Sequence, residues 1–330
     1  MVISPEDVRD ADEVHISNEF RKDVEAGLKA EQKFIPSKYL YDDQGSRLYQ
    51  KIMDLPEYYL FNAEKEILKN RSRDLAFVLG SEPVNIVELG VGDGKKTSIL
   101  LSSFMEKGID FNLTVIDISQ KALQEFTDRT RKENQVYPVR CVNTDYVNGL
   151  KLLHKKDDRR LLVLFLGSSI GNFTPDEEES FLKRIRSNLD ERDYMLIGFD
   201  LTTDPQKLLP AYNDSEGVTR EFNLNLLKRI NRELGADFDL NKFEHVPLYD
   251  PVKQQMESYI QSKKDQTVKI KDLDMEIEFL KGEKIHTEIS RKYSIEKVGE
   301  LAERTGFEKV LDLFNREENF VLSLWTPEVE

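Results

Sequence analysis

Residues 84–104 read VNIVELGVGDGKKTSILLSSF. An apolar, β-branched run gives way to glycines at 90, 92 and 94, and then to apolar residues at helical spacing. A chain that changes period this abruptly is passing from a buried strand into a helix. Glycines at the junction let the backbone take positive φ and come close to a ligand. The same rhythm continues downstream. FNLTVIDI is a strand, SQKALQEFTDRTRKE a helix with Ser119 as its N-cap, and VYPVRCVNTDY holds a third strand. RLLVLFLGSSIGNF holds a fourth strand, nearly all apolar, as expected of one covered on both faces. PDEEESFLKRIRSNL is a helix with Pro175 in its first turn, and DYMLIGFDL is a fifth strand. Strand and helix in alternation predict an α/β fold built on a parallel, doubly wound sheet with right-handed crossovers.

Outside this stretch the pattern changes. Residues 36–70 predict a loop, a helix over Ser46–Met53, a break at Pro56 and a second helix, and are rich in aromatics from Tyr39 to Phe61. Residues 202–292 read as loops, a helix in EFNLNLLKRINRELG, and antiparallel strands in QTVKIKDLDMEIEFL, which alternates with period two. The tail predicts a helix and then a terminal antiparallel hairpin in GFEKVLDLF and NFVLSLW. The expected division is a Rossmann-like domain from 63–201 and 293–330, with a second α+β domain from 1–62 and 202–292.

Composition narrows the function. The chain has 48 basic and 62 acidic residues, a net charge of −14, which argues against a general nucleic-acid binder. No apolar run is long enough to cross a bilayer, and the N-terminus has no signal-peptide pattern, so a cytoplasmic protein is expected. Cys141, the lone cysteine, is expected to be a small buried apolar residue in a reducing compartment. His15, His154, His245 and His286 show no ligand spacing, so no metal site is expected.

The glycine turn carries an acid, Glu88, at its mouth. An acid repels a phosphate but attracts a sulfonium or an amino group. That favours S-adenosylmethionine over a dinucleotide. Asp117 ends the second strand at about the spacing where an acid meets ribose hydroxyls. Asp145 follows the third strand, placed to accept from an adenine amine with Tyr146 flanking the ring. Each acid has a plainer alternative as a helix cap or a solvated strand end. Acids at the carboxyl ends of consecutive parallel strands converge on one crevice. With the terminal hairpin, the pattern resembles the class I SAM-dependent methyltransferase fold. After the fourth strand, Asn172 in FLGSSIGNF is placed to accept from a substrate amine and aim its lone pair at the sulfonium.

Several longer stretches, SKYLYDDQGSRLYQKIMDLPEYYLFNAEKEIL, VELGVGDGKKT, FLGSSIGNF, FDLTTDPQKLLPAYND, FNLNLLKRINRELGADFD, FEHV and HTEISRKY, resemble the L-histidine Nα-methyltransferase family of ergothioneine biosynthesis. The resemblance runs from about residue 36 to the C-terminus. It implies three methyl transfers from S-adenosylmethionine to histidine, giving hercynine. The residues matching the family's grip on the α-amine and carboxylate are Tyr58, Asn172, Tyr212 and Ser290, with Tyr58 and Asn172 nearest the chemistry. Glu288 matches its glutamate on the imidazole. Gly90, Lys96, Asp117, Asp145 and Tyr146 match its cofactor residues, joined by Glu88 and Gly92 from the turn itself, with Lys96 on the SAM carboxylate. Ser258 stands where the family carries a methionine near the imidazole, and Met256 is expected on the opposite face of that strand. The roomier pocket leaves tryptophan or tyrosine as alternative substrates, and a non-catalytic SAM or betaine binder as a further alternative. The expected partner is a free amino acid, bound by a monomer, with no membrane or nucleic acid involved.

Overall fold

The computed structural model of the chain describes residues 11–90, 92, 94–132, 137–153 and 159–329, with side chains from residue 18 onward. The N-terminal residues read for a signal sequence up to residue 10, Val91 and Asp93 of the glycine turn, and His154 lie outside the described residues, as does the His15 side chain. In chain order the elements begin with helices α1 (Ala11–Lys29), α2 (Asp43–Met53) and α3 (Tyr59–Leu79). The alternating region follows as β1 (Val84–Leu89), α4 (Lys95–Glu106), β2 (Phe111–Asp117), α5 (Gln120–Lys132), β3 (Val139–Asn143), α6 (Tyr146–Lys151), β4 (Arg160–Phe165), α7 (Pro175–Arg186) and β5 (Tyr194–Asp200). Then come α8 (Pro205–Ala211), α9 (Val218–Leu234), β6 (Phe243–Asp250), β7 (Gln255–Ser262), β8 (Gln266–Ile270), β9 (Met275–Phe279) and β10 (Lys284–Arg291). The chain closes with α10 (Ile295–Arg304), β11 (Phe307–Phe314) and β12 (Phe320–Pro327).

These elements form two compact units, Met1–Glu57 with Pro205–Ile289, and Tyr58–Asp204 with Ser290–Glu330. The second unit holds a seven-stranded sheet in the order β11-β12-β5-β4-β1-β2-β3. Strands β1 to β5 run parallel, and β12 lies antiparallel to both β5 and β11. This is the class I methyltransferase arrangement, with chain reversal between β1 and β4 opening a crevice at their carboxyl ends. The central strands are apolar because both faces are covered: β4 is buried from Leu161 to Phe165. The terminal hairpin is anchored by Trp325, fully buried and stacked 5.7 Å from Phe199. Truncating such a side chain to alanine costs roughly 3–5 kcal/mol.

The capping signals act as expected. Ser119 accepts from the Ala122 N–H at 3.1 Å at the head of α5. Thr174 and Glu177 form a reciprocal capping box ahead of Pro175 at the start of α7. Two expectations change. The first helix after the loop starts at Asp43 rather than Ser46, because Asp42 caps it by accepting from the Gly45 N–H at 2.8 Å. Cys141 is exposed rather than buried, because β3 is the edge strand and only its Val142 is shielded.

The first unit carries a three-stranded sheet, β10-β7-β6, and the separate hairpin β8-β9. Helix α9 packs against β6 and β7. Met256 and Ser258 share a face of β7, since side chains two apart in a strand point the same way, and both are buried. The expectation of opposite faces is therefore wrong. Within this unit His245 on β6 is 9% exposed, and among the described residues neither of its ring nitrogens has a hydrogen-bond partner. Burial outweighs the nearby Asp214 charge and holds its pKa down at about 4, so the ring is neutral at pH 7.

A histidine held below its unfolded value of about 6.5 is protonated first in the unfolded chain, so its contribution is lost as pH falls from about 6.5 towards 4. The loss amounts to at most about 3 kcal/mol. Thermal midpoints of the wild type and of His245→Phe, measured from pH 7.5 to pH 4.5, should converge or cross as the pH drops. Parallel curves would show that His245 does not titrate this way.

Candidate active site

At the carboxyl end of β1 the glycine turn opens. Gly90, Gly92 and Gly94 have φ of 79°, 52° and 60°, in the left-handed region that side chains rarely adopt. The Gly90 N–H donates to the Ile116 carbonyl at 2.9 Å, which ties the start of the turn to β2. A Cβ on Gly90 would fall 2.7 Å from the Tyr146 hydroxyl, and one on Gly94 would fall 2.6 Å from the Phe126 ring. A Cβ on Gly92 would meet nothing within 4 Å among the described residues. Gly90 and Gly92 therefore offer side-chain-free backbone at the end of β1, which fits a ligand lying across the strand ends.

The acids around this cradle have local partners. Glu88 is 3% exposed, and its Oε1 accepts from the Thr97 hydroxyl at 2.5 Å, which braces the first turn of α4. Asp117 accepts from the Ser119 N–H at 2.8 Å. Asp145 caps α6, accepting from the Asn148 backbone N–H at 3.0 Å and its side-chain amide at 2.6 Å. Both plainer roles weighed for Asp117 and Asp145 are thus present. Burial, and then the charges of Asp117 and Glu88, hold the Tyr146 phenol well above its ordinary pKa. That ring sits edge-on to Phe165 and Phe181.

Lys96 lies in the first turn of α4, and its Nζ is 2.6 Å from Oε2 of Glu64. Glu64 is fully buried in α3, and its carboxylate also accepts from the Gly167 N–H at 2.9 and 3.0 Å. Sequence reasoning passes over Glu64, because an acid in a charged helix looks solvated.

The turn after β4 positions Asn172. Gly167 and Ser168 take φ of 82° and 58°, and a 3-10 turn runs from Ser169 to Asn172. Ser168 accepts from the Asp200 N–H at 3.1 Å, which fixes the turn to the end of β5. Gly171 lies directly on the backbone of Arg291: a Cβ there would meet its carbonyl oxygen at 2.8 Å and its nitrogen at 3.1 Å. Glycine at 171 thus brings Asn172 and Ser290 onto neighbouring stretches of chain. Behind them Asp200 binds the Tyr59 hydroxyl at 2.6 Å and the Lys292 ammonium at 2.7 Å. Tyr58 immediately precedes α3 and is 8% exposed. Asp200 and Lys292 are missed by sequence reasoning. The available signal was an acid at a fifth strand end, in FDL.

Within the other unit, Tyr212 follows α8 and is 8% exposed. Glu288 accepts from the Tyr41 hydroxyl at 3.5 Å. Tyr41 is itself edge-on to Tyr49 and Phe222, so the aromatic cluster read at 39–61 supplies the neighbour of this carboxylate. Ser258 is 2% exposed, and its carbonyl accepts from the Thr287 hydroxyl at 3.0 Å, which also donates to Asn223 at 2.8 Å.

Comparison with known proteins follows the same lines. Residues 20–327 match the model of a family described as histidine-specific, SAM-dependent methyltransferases. The chain is similar to the histidine N-alpha-methyltransferase of Mycolicibacterium smegmatis, at 38% identity over 86% of this chain and 87% of that one. It is also similar to the protein of the same name from Mycobacterium tuberculosis, at 35% identity over 92% and 94% of the two chains. Ergothioneine biosynthesis protein 1 of Schizosaccharomyces pombe is 34% identical over 74% of this chain and 32% of its own length.

The Gly171 contact yields a test. Gly171→Ala should force the Asn172 turn off the Arg291 backbone, an overpacking that costs about 1–3 kcal/mol. Turnover should fall by at least tenfold while the affinity for adenosylhomocysteine, measured by calorimetry, stays within about threefold, because the glycine cradle is untouched. Retention of full turnover would separate this contact from the chemistry.

Proposed function

Because the chain belongs to the histidine-specific, SAM-dependent methyltransferase family, we propose that it methylates the α-amine of free L-histidine three times to give hercynine, the ergothioneine-pathway betaine. The observation that carries the reading to particular atoms is the seating of the Asn172 turn against the chain that bears Ser290. The reading takes the enzyme as a cytoplasmic monomer with a free amino acid as its partner.

When bound, S-adenosylmethionine supplies an electrophilic methyl carbon on its sulfonium. The open backbone at Gly90 and Gly92, the strand-end acids Glu88, Asp117 and Asp145, the Tyr146 ring and the ammonium of Lys96 are the residues proposed to hold it. Asn172 accepts an N–H of the neutral amine through its amide oxygen and holds the nitrogen lone pair in line, so positioning supplies most of the catalysis. Tyr58, Tyr212 and Ser290 complete the grip on the amine and carboxylate with uncharged hydroxyls. A carboxylate at the amine would favour its protonated, unreactive form. An α-amine with a pKa near 7.7–8.0 has a substantial neutral fraction without any extreme shift. Each transfer turns the neutral amine into an ammonium that loses a proton to solvent before the next, and after the third the permanent single positive charge is stabilised by the ring of Tyr58 through cation–π attraction.

Selectivity rests on Glu288, which accepts the imidazole N–H. A hydrogen bond to a charged group contributes roughly 1.5–3 kcal/mol, and a side chain without a donor leaves that carboxylate unpaired. Ser258 is proposed to line the ring pocket, where its small side chain leaves room.

Incubation of the enzyme with S-adenosylmethionine and each amino acid, read by mass spectrometry, should show histidine gaining one, two and three methyl groups. Asn172→Ala should lower kcat by roughly 10²-fold. Glu288→Gln should lower kcat/KM for histidine by roughly 10–100-fold, with a smaller effect on phenylalanine. Absence of any methylated histidine would refute the assignment.

A further inference from the structure

We propose that Glu178 is a positioning residue for the Asn172 amide, an inference that rests on the function proposed above. Glu178 lies in the first turn of α7 beside Asp176 and Glu177. Those two acids are exposed, whereas Glu178 is 1% exposed. Its Oε2 accepts from Nη1 of Arg291 at 2.6 Å, and its Oε1 accepts from the hydroxyl of Tyr293. Burial, and then the Glu178 charge, hold the Tyr293 phenol well above its ordinary pKa, so it remains a donor. The Tyr293 ring is fixed in turn, edge-on to Phe199 at 5.0 Å.

These contacts close a ring of structure around Asn172. Gly171 lies on the main chain of Arg291, and the side chain of Arg291 leads to Glu178. The Glu178 N–H donates to the carbonyl of Thr174, the N-cap of α7, at 2.8 Å. Thr174 is two residues from Asn172, and Phe173 between them stacks on Phe165 at 6.4 Å. The turn that bears Asn172 therefore meets Arg291 from both sides. Gly171 touches its backbone, and α7 holds its side chain through Glu178. Rate depends steeply on such placement, because a reacting group displaced by about 1 Å can lose roughly 10²-fold. An acid that served only the helix dipole would do so at the surface, as Asp176 and Glu177 can. Burying a carboxylate is costly unless it is paired and hydrogen-bonded. Here the burial fixes the distance between α7 and the segment from Arg291 to Tyr293.

The test compares histidine methylation by the wild type, Glu178→Gln, Asn172→Ala and the double variant, with product read by mass spectrometry. Glu178→Gln keeps the shape of the side chain but removes the charge that holds both donors. It should lower kcat by roughly tenfold, with KM for histidine and the adenosylhomocysteine affinity, measured by calorimetry, within about threefold. In the Asn172→Ala background the same change should lower kcat by less than about twofold, because the group that Glu178 positions is gone. The stoichiometry of adenosylhomocysteine binding corrects each kcat for the folded fraction, so a loss of stability alone leaves the corrected value unchanged.

Additive losses in this cycle, or a corrected kcat for Glu178→Gln within about threefold of the wild type, would overturn the proposal while leaving the methyltransferase reading intact. If Glu178→Gln fails to fold, the decision passes to Glu178→Met combined with Arg291→Met, which leaves no uncompensated charge. The same non-additive loss with Asn172→Ala is expected of that pair, and additive or absent loss would overturn the proposal. Failure of the wild type to methylate histidine would instead sink the function and the proposal resting on it.

Discussion

A single carboxylate at the end of β5 ties together three segments of the sheet unit. Asp200 is fully buried, and a charge removed from water persists only when paired and hydrogen-bonded. Its partners come from separate parts of the chain: Tyr59 opens α3, Thr202 follows β5, and Lys292 closes the segment after β10. Its own N–H donates to Ser168, and its carbonyl accepts from the Tyr293 N–H at 2.9 Å. Removing one member of such a set leaves an uncompensated charge, at a cost of about 3–5 kcal/mol. The positions of Tyr58, Asn172 and Ser290 therefore depend on one electrostatic node, though none of the three is itself charged.

Close approach is the second constraint, and glycine answers it in two ways. In the turn after β1, positive φ lets the backbone bend back over the strand ends. At 171 the conformation is ordinary, and the requirement is space, since the Arg291 backbone occupies the volume of a side chain. The first use is legible from a strand–glycine–helix pattern. The second depends on a segment more than a hundred residues away, and no local pattern signals it.

The division of charge follows the chemistry. Acids gather where a sulfonium and ribose are expected, at Glu88, Asp117 and Asp145. Hydroxyls and an amide, those of Tyr58, Ser290 and Asn172, are the groups proposed to hold the neutral amine. The buried acids Glu64 and Asp200 are each paired with a lysine, Lys96 and Lys292. A buried acid paired in this way braces backbone while its charge is offset by its partner.

The sequence by itself determined the parallel sheet, the terminal hairpin, the glycine turn and the family, because hydrophobic period, glycine placement and strand-end acids are local and repeat along the chain. It also carried the residue types at the proposed site, through motifs with unusual spacing. Tertiary structure alone decided that Cys141 lies on an exposed edge, that Met256 and Ser258 share a buried face, and that Glu64 and Asp200 are fully buried ion-pair partners. Exposure depends on which strand ends a sheet, and the fate of a charge depends on a partner distant in sequence. Neither is written in the neighbouring residues, because burial and pairing are properties of the assembled fold.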